Sequence, residues 1–596
     1  MNDQEDNTTG STKDQLSQSL STSNDTKNKI LDNEPNILIF NRAGKPIYAR
    51  YGKDEEISNV CAILQAIIST SENEHNSIQS IHAGKLQMII HSIQQIILVI
   101  IHKSNQPKSE LFLRMILEYV YAQIVFTLTD QIQEMISLRS NLDYCTLVGR
   151  SATNHLNTML HQIQTDPAPY LLSAIPILYP LDHFLRHYTS KLLQNIGTTT
   201  NGILYAIMMA HDKLITLVQP KYTPHQLFVS DIHLILTFVK SQLPFLLKNE
   251  AWLPLCLPFF HSDGYMHAYT TCLDNETGLI LMLISNNETQ QQFDMFRNAA
   301  NQIKQELNVF TKNDGMNLDI TTLFIPLDPM IGASTLNDNN HKIHDNHYDN
   351  HNKSSMNPTT TSSTFPLSRA ISQALRHDIQ ISTMKQYCNI ASAYHFIFRF
   401  NVPLTSTHPP SNSKKSNKSK KYYTKQQIHT LTQCLSPPLS FPFVDQSSKQ
   451  RVWDIYQSLL LRLKIKSSSN YSIRYAYDHQ TTFPSMNQKH TTKNNDDDED
   501  DDEDDDNMDP IMDYSILSMC PSIQILESSP FIQGMTYIID QHELFLALNG
   551  HDFLFLTVLP KTMDLSSSIA SCTKMIHQIK KDQLNLFLGK PLTWRS

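Results

Sequence analysis

NILIFNRAGKPIYARYGKDEEISNVCAILQAIIST, Asn36 to Thr70, is the stretch whose reading decides the fold. It opens with two short apolar strands around a turn. Asn41, Ala43, Gly44 and Pro46 lie in or beside that turn, and several of them allow or preset turn dihedrals. A helix follows. Ile57, Val60, Cys61, Leu64, Ile67 and Ile68 recur at helical spacing and predict one apolar face. Asp54 is expected to cap this helix, and Glu55 and Glu56 suit its positive end. Three strand-like runs come next: SIQSIHA from Ser77, LQMIIHS from Leu86 and IILVIIHK from Ile96. Ser109 then opens a long apolar helix through Tyr119, Val120, Ile124 and Leu128. The order is strand, strand, helix, three strands, helix.

A five-stranded antiparallel sheet with one helix inserted after its second strand is the longin layout. The wording of the hairpin, GKPIYARYG followed by SIQSIHA, is more specific than the layout. With EAWLPLCLPFFHSDGYMHAY (Glu250 to Tyr269) and a closing PLTW (Pro591 to Trp594), it resembles the SAND family, the vacuolar fusion proteins called Mon-one.

A length of 596 residues implies several domains, and 40% hydrophobic content is enough for packed cores. The 14 glycines form no GxGxxG and no GxxxxGK[ST], so nothing in the chain looks like a nucleotide site of its own. The eight cysteines make no CxxC pair, which argues against a zinc ribbon or a thioredoxin motif and fits a reducing compartment. The polar N-terminus lacks an apolar signal region. The run Leu86 to Ile101 is interrupted by His91, Gln94 and Gln95 and is too short and polar to span a bilayer, so membrane association is expected to be peripheral. The net charge of −9 misleads. Without the eleven consecutive acids from Asp496 to Asp506 it becomes +2, and without the −4 of the first 35 residues it becomes +6. No broad basic field points to nucleic acid.

The composition divides the chain. Residues 1–35 are expected to be a disordered tail, either plainly solvated or a regulatory phosphate acceptor. Residues 36–170 form a first unit, with an amphipathic helix from Leu142 to Gln164 stopped by DPAPY. Tyr170 to Asn195 reads as an irregular helix broken by Pro176 and Pro180. A second unit, 198–310, repeats the order. NGILYAIMMA and KLITLVQP are strands around His211 and Asp212, and Ser230 or Asp231 caps a helix. WLPLCLPFF, YMHAYTTCLD and GLILMLIS are three more strands, and Gln291 to Leu307 is the last helix. Residues 313–364 form a low-complexity linker. Its His341, His344, His347 and His351 read as compositional rather than as a metal site. The third unit, 390–596, has a strand at Tyr394 to Phe400, a basic insertion at 401–440 and a helix from Asp445 to Leu463. It continues with the strand YSIRYAY and an acidic insertion at 480–510. MTYIID, HELFLALN and FLFLTVL are strands, and a helix from Ser566 to Leu584 closes it. The expected fold class is α+β: three longin-like domains, antiparallel five-stranded sheets with flanking helices, plus the tail and the loop insertions.

No catalytic motif is present: there is no His-Glu-x-x-His, GxSxG, kinase set or EF-hand loop. His82, His91 and His102 fall on successive strands and read as structural, and Trp252 reads as a core anchor. No metal or cofactor is expected. The outward side of the first helix carries Glu55, Glu56, Asn59 and Gln65.

The family resemblance implies that this helix and the neighbouring sheet edge pair with a Ccz-type longin partner, and that the pair grips a small GTPase of the Rab-seven class. Asn59 and Gln65 are the candidates for the partner contact. Asp54, Glu55 and Glu56 are the candidates for the GTPase, by charge and position rather than by any family motif. A plain solvated helix face fits the same residues equally well. Lys414, Lys415, Lys418, Lys420 and Lys421 either meet an anionic membrane surface or lie on a solvated loop. The implied function is nucleotide exchange without covalent chemistry, by a cytoplasmic protein peripheral to late endosomes and vacuoles. It would support endosome maturation, vacuole fusion and autophagy, with an upstream early-endosomal Rab as a further partner. A non-catalytic longin adaptor or tethering subunit is the alternative; a small-molecule hydrolase is disfavoured by the missing motifs.

Overall fold

The computed structural model describes residues 35–73, 77–103, 108–138, 144–220, 227–313, 366–403, 430–466, 532–540 and 543–594. In the first unit β1 (Asn36–Asn41) and β2 (Pro46–Ala49) form a hairpin. Its turn is closed by the Asn41 side chain, whose Oδ1 accepts from the backbone N–H of Ala43 (3.0 Å) and Lys45 (2.8 Å). Gly44 takes φ +76° there. Helix α1 (Asp54–Asn73) follows, then β3 (Ser80–Ala83), β4 (Leu86–Ile93), β5 (Ile96–Lys103) and helix α2 (Glu110–Leu128). The strands lie in the order β2-β1-β5-β4-β3, every pair antiparallel. Two more helices follow, α3 (Ile132–Leu138) and α4 (Tyr144–Thr165), the latter kinked at Gly149.

The layout recurs twice. After a short helix α5 (Ala168–Leu171), a two-residue strand β6 (Ile175–Pro176) and helix α6 (His183–Thr199), the second unit runs β7 (Tyr205–Ala210), β8 (Lys213–Gln219), α7 (Val229–Leu246), β9 (Ala251–Leu257), β10 (His261–Asp274), β11 (Leu279–Ser285), α8 (Gln290–Asn313). Its sheet order is β8-β7-β11-β10-β9. Helix α9 (Pro366–Leu375) packs on the second sheet's core, and the third unit then runs α10 (His377–Ala391), β12 (His395–Pro403), β13 (Thr430–Leu435), α11 (Gln446–Lys466), β14 (Ile532–Ile539), β15 (Glu543–Gly550), β16 (Phe553–Pro560) and α12 (Leu565–Lys581). The order is again second, first, fifth, fourth, third strand. The expected α+β architecture of three antiparallel sheets with flanking helices is therefore what the chain forms.

Helices α2, α4 and α7 lie between the first and second sheets in one continuous apolar core. Helix α2 has the length and composition of a membrane span, but most of it is buried: Phe112, Leu113, Leu117, Val120 and Ile124 all face protein. It is a core helix. Buried His233 on α7 ties this layer together. Burial pushes its pKa down to about 4, so the ring is neutral. Its Nε2 lies 2.9 Å from the Ala174 carbonyl and must donate there, leaving Nδ1 to accept from the Tyr119 hydroxyl at 2.9 Å.

Two short parallel strands seal sheet edges. β6 lies along β13, and β17 (Leu592–Thr593), reached through a short helix α13 (Gln583–Leu586), lies along β8. The PLTW motif thus belongs to the second sheet, not the third. Trp594 donates its indole N–H to the Leu204 carbonyl at 2.7 Å, and its ring fills the space where residue 197 would carry a Cβ.

Four sequence expectations change. Helix α1 begins at Asp54, which therefore sits in the first turn and does not cap it. Tyr170 to Asn195 is a short helix, a strand and then a regular helix capped by Asp182. Strand β13 falls inside the stretch read as a basic insertion at 401–440. Phe228 occupies the N-cap of α7, and Asp231 is buried within its first turn. One Asp231 oxygen accepts from the Phe259 N–H at 3.1 Å, while the other has no partner among the described residues. Residues 1–34, the His341–His351 tract, the five lysines from Lys414 to Lys421, YSIRYAY and the acidic run lie outside the described residues.

Two predictions follow from this packing. Gly197→Ala should displace Trp594 and cost about 1–3 kcal/mol, read as a red-shifted tryptophan emission and earlier thermal unfolding. Burial pushes the Asp231 carboxyl up to about 8, so the folded chain keeps a proton that the unfolded chain releases near pH 4. Stability should therefore fall as pH rises between those values, by at most about 1.4 kcal/mol per pH unit, and level off above. Asp231→Asn keeps the acceptor for Phe259 and should flatten that slope. Thermal midpoints of both proteins from pH 5 to pH 9 check it.

Candidate docking surface

The sequence points to α1, and the structure shows which of its faces is open. Ile57, Cys61, Leu64 and Ile68 are buried against Leu38, Phe40, Ile90, Ile97, Val99 and Ile101 of the sheet. Ile67, expected on that inner face, points outward and is 41% exposed; neighbouring Ile63 is 61% exposed. At about 100° per residue, positions 57, 61, 64 and 68 share one side, while 63 and 67 fall outside it. Ala62 and Ala66 are exposed as well. The outer face is thus apolar in its middle, where polar residues were expected.

Its N-terminal end is acidic. Asp54 and Glu55 are exposed and Glu56 is partly exposed, all in the first turn where the helix dipole favours negative charge. Asn59 is exposed between them and Ile63. From Glu55 to Ile67 the stripe is about 18 Å long. Gln65 does not belong to it: it is half-buried and its amide donates to Ser69 Oγ at 2.7 Å on the same helix. Arg42 fixes the far end. Its guanidinium holds both Glu72 oxygens (2.6 and 2.5 Å) and donates to the Gln94 carbonyl at 2.7 Å, joining α1 to two strand turns. Gly44 lets the hairpin turn approach Ala62 closely, since a Cβ there would lie 3.3 Å from the Ala62 Cα.

Beside the helix the sheet is only partly covered. Helix α1 packs over β1 and β2. On the β3 side Ile78, Ile81, Leu86 and Met88 remain half-buried, and among the described residues no strand pairs with the outer edge of β3. The corresponding helices elsewhere turn no apolar residue of their middle turns to solvent: α7 is buried there, and the exposed side chains described on α11 are polar, among them Ser447, Ser458 and Arg462. Ile232 through Val239 of α7 are buried between the second sheet, α2 and α4. Helix α11 buries Val452, Tyr456, Leu459 and Leu463 on the third sheet and turns Gln450 and Gln457 towards the first unit.

The histidines make no site. His82 and His102 flank Gln87 across β3, β4 and β5, whereas His91 pairs with Leu98, further along. His82 lies 2.8 Å from Glu110, and this hydrogen bond draws the Glu110 carboxyl below its ordinary range. Burial pushes His91 down to about 4. No group of metal-ligating side chains occurs among the described residues. Trp252 is half-buried on β9, stacked 5.7 Å from His267.

Three sheets of one strand order define a protein built of tandem longin domains. Residues 35–157 match the first longin domain of FUZ, MON1 and HPS1, and residues 201–300 match the second. The protein SAND of Takifugu rubripes is 34% identical over 250 residues, which cover 42% of this chain and 46% of that protein. Vacuolar fusion protein MON1 homolog A of Gallus gallus is 31% identical over 253 residues (42% and 44%), and the MON1 homolog of Arabidopsis thaliana 29% over 245 (41% and 39%). The similarity spans under half the length of each of these relatives. These matches and similarities support the SAND/MON1 family for this chain.

Adjacent residues of α1 should behave oppositely. Leu64→Asp buries an unpaired charge and should lower the thermal midpoint of the first transition sharply, a loss of several kcal/mol at about the size of a lost core contact. Ile63→Asp should leave unfolding unchanged within about 0.5 kcal/mol. Scanning calorimetry of the two variants checks the assignment of faces.

Proposed function

We propose that this chain is one subunit of a two-chain guanine-nucleotide exchange factor for a Rab-seven-class GTPase, acting in vacuole fusion and endosomal trafficking. The relatives are called vacuolar fusion proteins, which supports the process. One observation carries the molecular part: Ile63 and Ile67 are exposed in the middle of α1, whereas the middle of α7 is buried and the exposed side chains described on α11 are polar. An apolar stripe beside a free strand edge suits another longin domain, and we assign it to a Ccz-type partner.

Exchange then needs no covalent chemistry. A pair that binds the nucleotide-free GTPase more tightly than the loaded form weakens nucleotide binding by linkage. Displacing a switch segment and the magnesium it helps to hold is a direct route. Asp54, Glu55 and Glu56 extend the stripe at its end and offer carboxylates to a basic switch residue. The protein would act peripherally on late endosomes and vacuoles.

The test is release of fluorescent GDP from a panel of Rab proteins by this chain, by its partner and by the pair. Only the pair should accelerate release, and Ile63→Asp with Ile67→Asp should abolish pairing. Charge reversal of Glu55 and Glu56 to Lys should spare the pair and slow release about tenfold, equivalent to about 1.4 kcal/mol of transition-state stabilisation. Full exchange by the chain alone would refute the two-subunit site. No exchange by an intact pair on any Rab favours a tethering subunit.

A further inference from the structure

A cleft of about 30 Å³ lies on the seam between the first unit and α11 of the third. Apolar side chains of β1, α2 and α4 form much of its wall. Its polar lining is rich in donors. Gln457 of α11 lines it and is 4% exposed, yet its Nε2 has no partner among the described residues. A buried amide donor without an acceptor is costly.

Two cations line the same cleft. Arg50, just after β2, donates through Nη2 to the Gln164 side chain at 2.9 Å. Lys108, just before α2, has its backbone clamped by the Gln87 side chain, which accepts from its N–H at 3.1 Å and donates to its carbonyl at 2.9 Å. One acid lies close by. Burial pushes the Asp454 carboxyl of α11 above its ordinary range, and Lys108 draws it back. Two cations against one acid, beside an unmet buried donor, favour a single negatively charged acceptor. The volume suits a small group of about two waters' size and excludes a helix or a strand.

The chain itself brings such a group to the mouth of the cleft. Buried Pro35 lines it and is the first described residue. Its position is fixed from both sides. The Asn36 side chain exchanges two hydrogen bonds with the Tyr51 backbone (3.1 and 3.2 Å), and the Pro35 carbonyl lies 3.5 Å from Arg50 Nη1. The preceding residue is Glu34. A trans peptide bond puts its Cα about 3.8 Å from that of Pro35, and a residue before proline is restricted to extended backbone. A carboxylate is thus one residue away from the donors that lack one.

We propose that the Glu34 carboxylate occupies this cleft, accepting from Gln457 and pairing with Lys108 and Arg50, and so straps the start of the first unit to α11 of the third. The contact lies within one chain and is independent of nucleotide exchange.

The experiment uses the full chain. A water-soluble carbodiimide condenses a carboxylate with an amine that touches it, with loss of water, and peptide mass spectrometry should recover a Glu34–Lys108 crosslink. Glu34→Ala should lower the thermal midpoint by about 1–3 °C, the scale of a partly buried ion pair in a chain of this size. In a Gln457→Leu chain the same substitution should cost less than half as much, because the donor it serves is gone. Strictly additive effects of the two substitutions would overturn the strap, as would coupling of Lys108 to Asp454 alone. An unchanged midpoint in Glu34→Ala, with no Glu34 crosslink in the wild type, would leave only water in the cleft and overturn it as well.

Discussion

The structure depends on one constraint: each five-stranded sheet is apolar on both faces, and both must be kept from water. Strands β1 and β5 show it most plainly. Every residue from Asn36 to Asn41 and from Ile96 to His102 is buried, whichever face its side chain points to. Successive residues of a strand face opposite sides, so a run of this kind needs cover above and below. The first sheet obtains one cover from α1. The other comes from α2 and α4, which the second sheet and α7 share from the opposite side. That sharing makes the first two units a single packed body. It also explains why α2 is apolar enough to resemble a membrane span: it has protein on almost all sides.

The same constraint locates the open surface. Once the middle of α7 is enclosed and the exposed side chains described on α11 are polar, α1 is the helix of its kind that turns isoleucines to solvent. The apolar residues on that side keep much of their surface in water, Ile63 61% and Ile67 41%. Burying two exposed isoleucines would contribute about 25 cal/mol for each Å² of apolar surface removed from water, which requires a partner. The acidic first turn then lies at the rim of such a contact, where charge affects encounter and choice of partner more than affinity.

The sequence made the repeating part of the fold legible. Short apolar runs, the Asn41 turn and the helical spacing of α1 located all five strands of the first unit, and the recurrent order located most of the others. Three things were not legible, each for a physical reason. Strands β6 and β17 have two residues each, too few for any periodicity, and their partners lie over 200 residues away in the chain. Ile67 is one helical step from Ile68, so a tally of apolar residues merges the inner and outer faces that the structure separates. Asp231 has the residue type and position of a cap, and only the packing of Phe259 above it shows that it is buried. On the outer side of α1 the acidic first turn was legible in the sequence and the isoleucines were not, because an outward isoleucine and a core isoleucine read alike.

The long low-complexity segments fit the same logic. They separate α8 from α9, β12 from β13, and α11 from β14, so each falls between described elements. Closing a longer loop adds only about 0.6 kcal/mol per doubling of its length, because the entropy grows with the logarithm. A strand inserted or lost would instead uncover two apolar faces at once. The third unit can therefore carry 26 residues between β12 and β13, from 404 to 429, and still pair Phe398 with Leu435 and Pro403 with Thr430 in unbroken register. Sheet order is held by buried faces that tolerate no substitution of water for protein, while loop length is held by a weak logarithm. Divergence within such a chain should then concentrate in its connections and spare strand order, which is the pattern the three units show relative to one another.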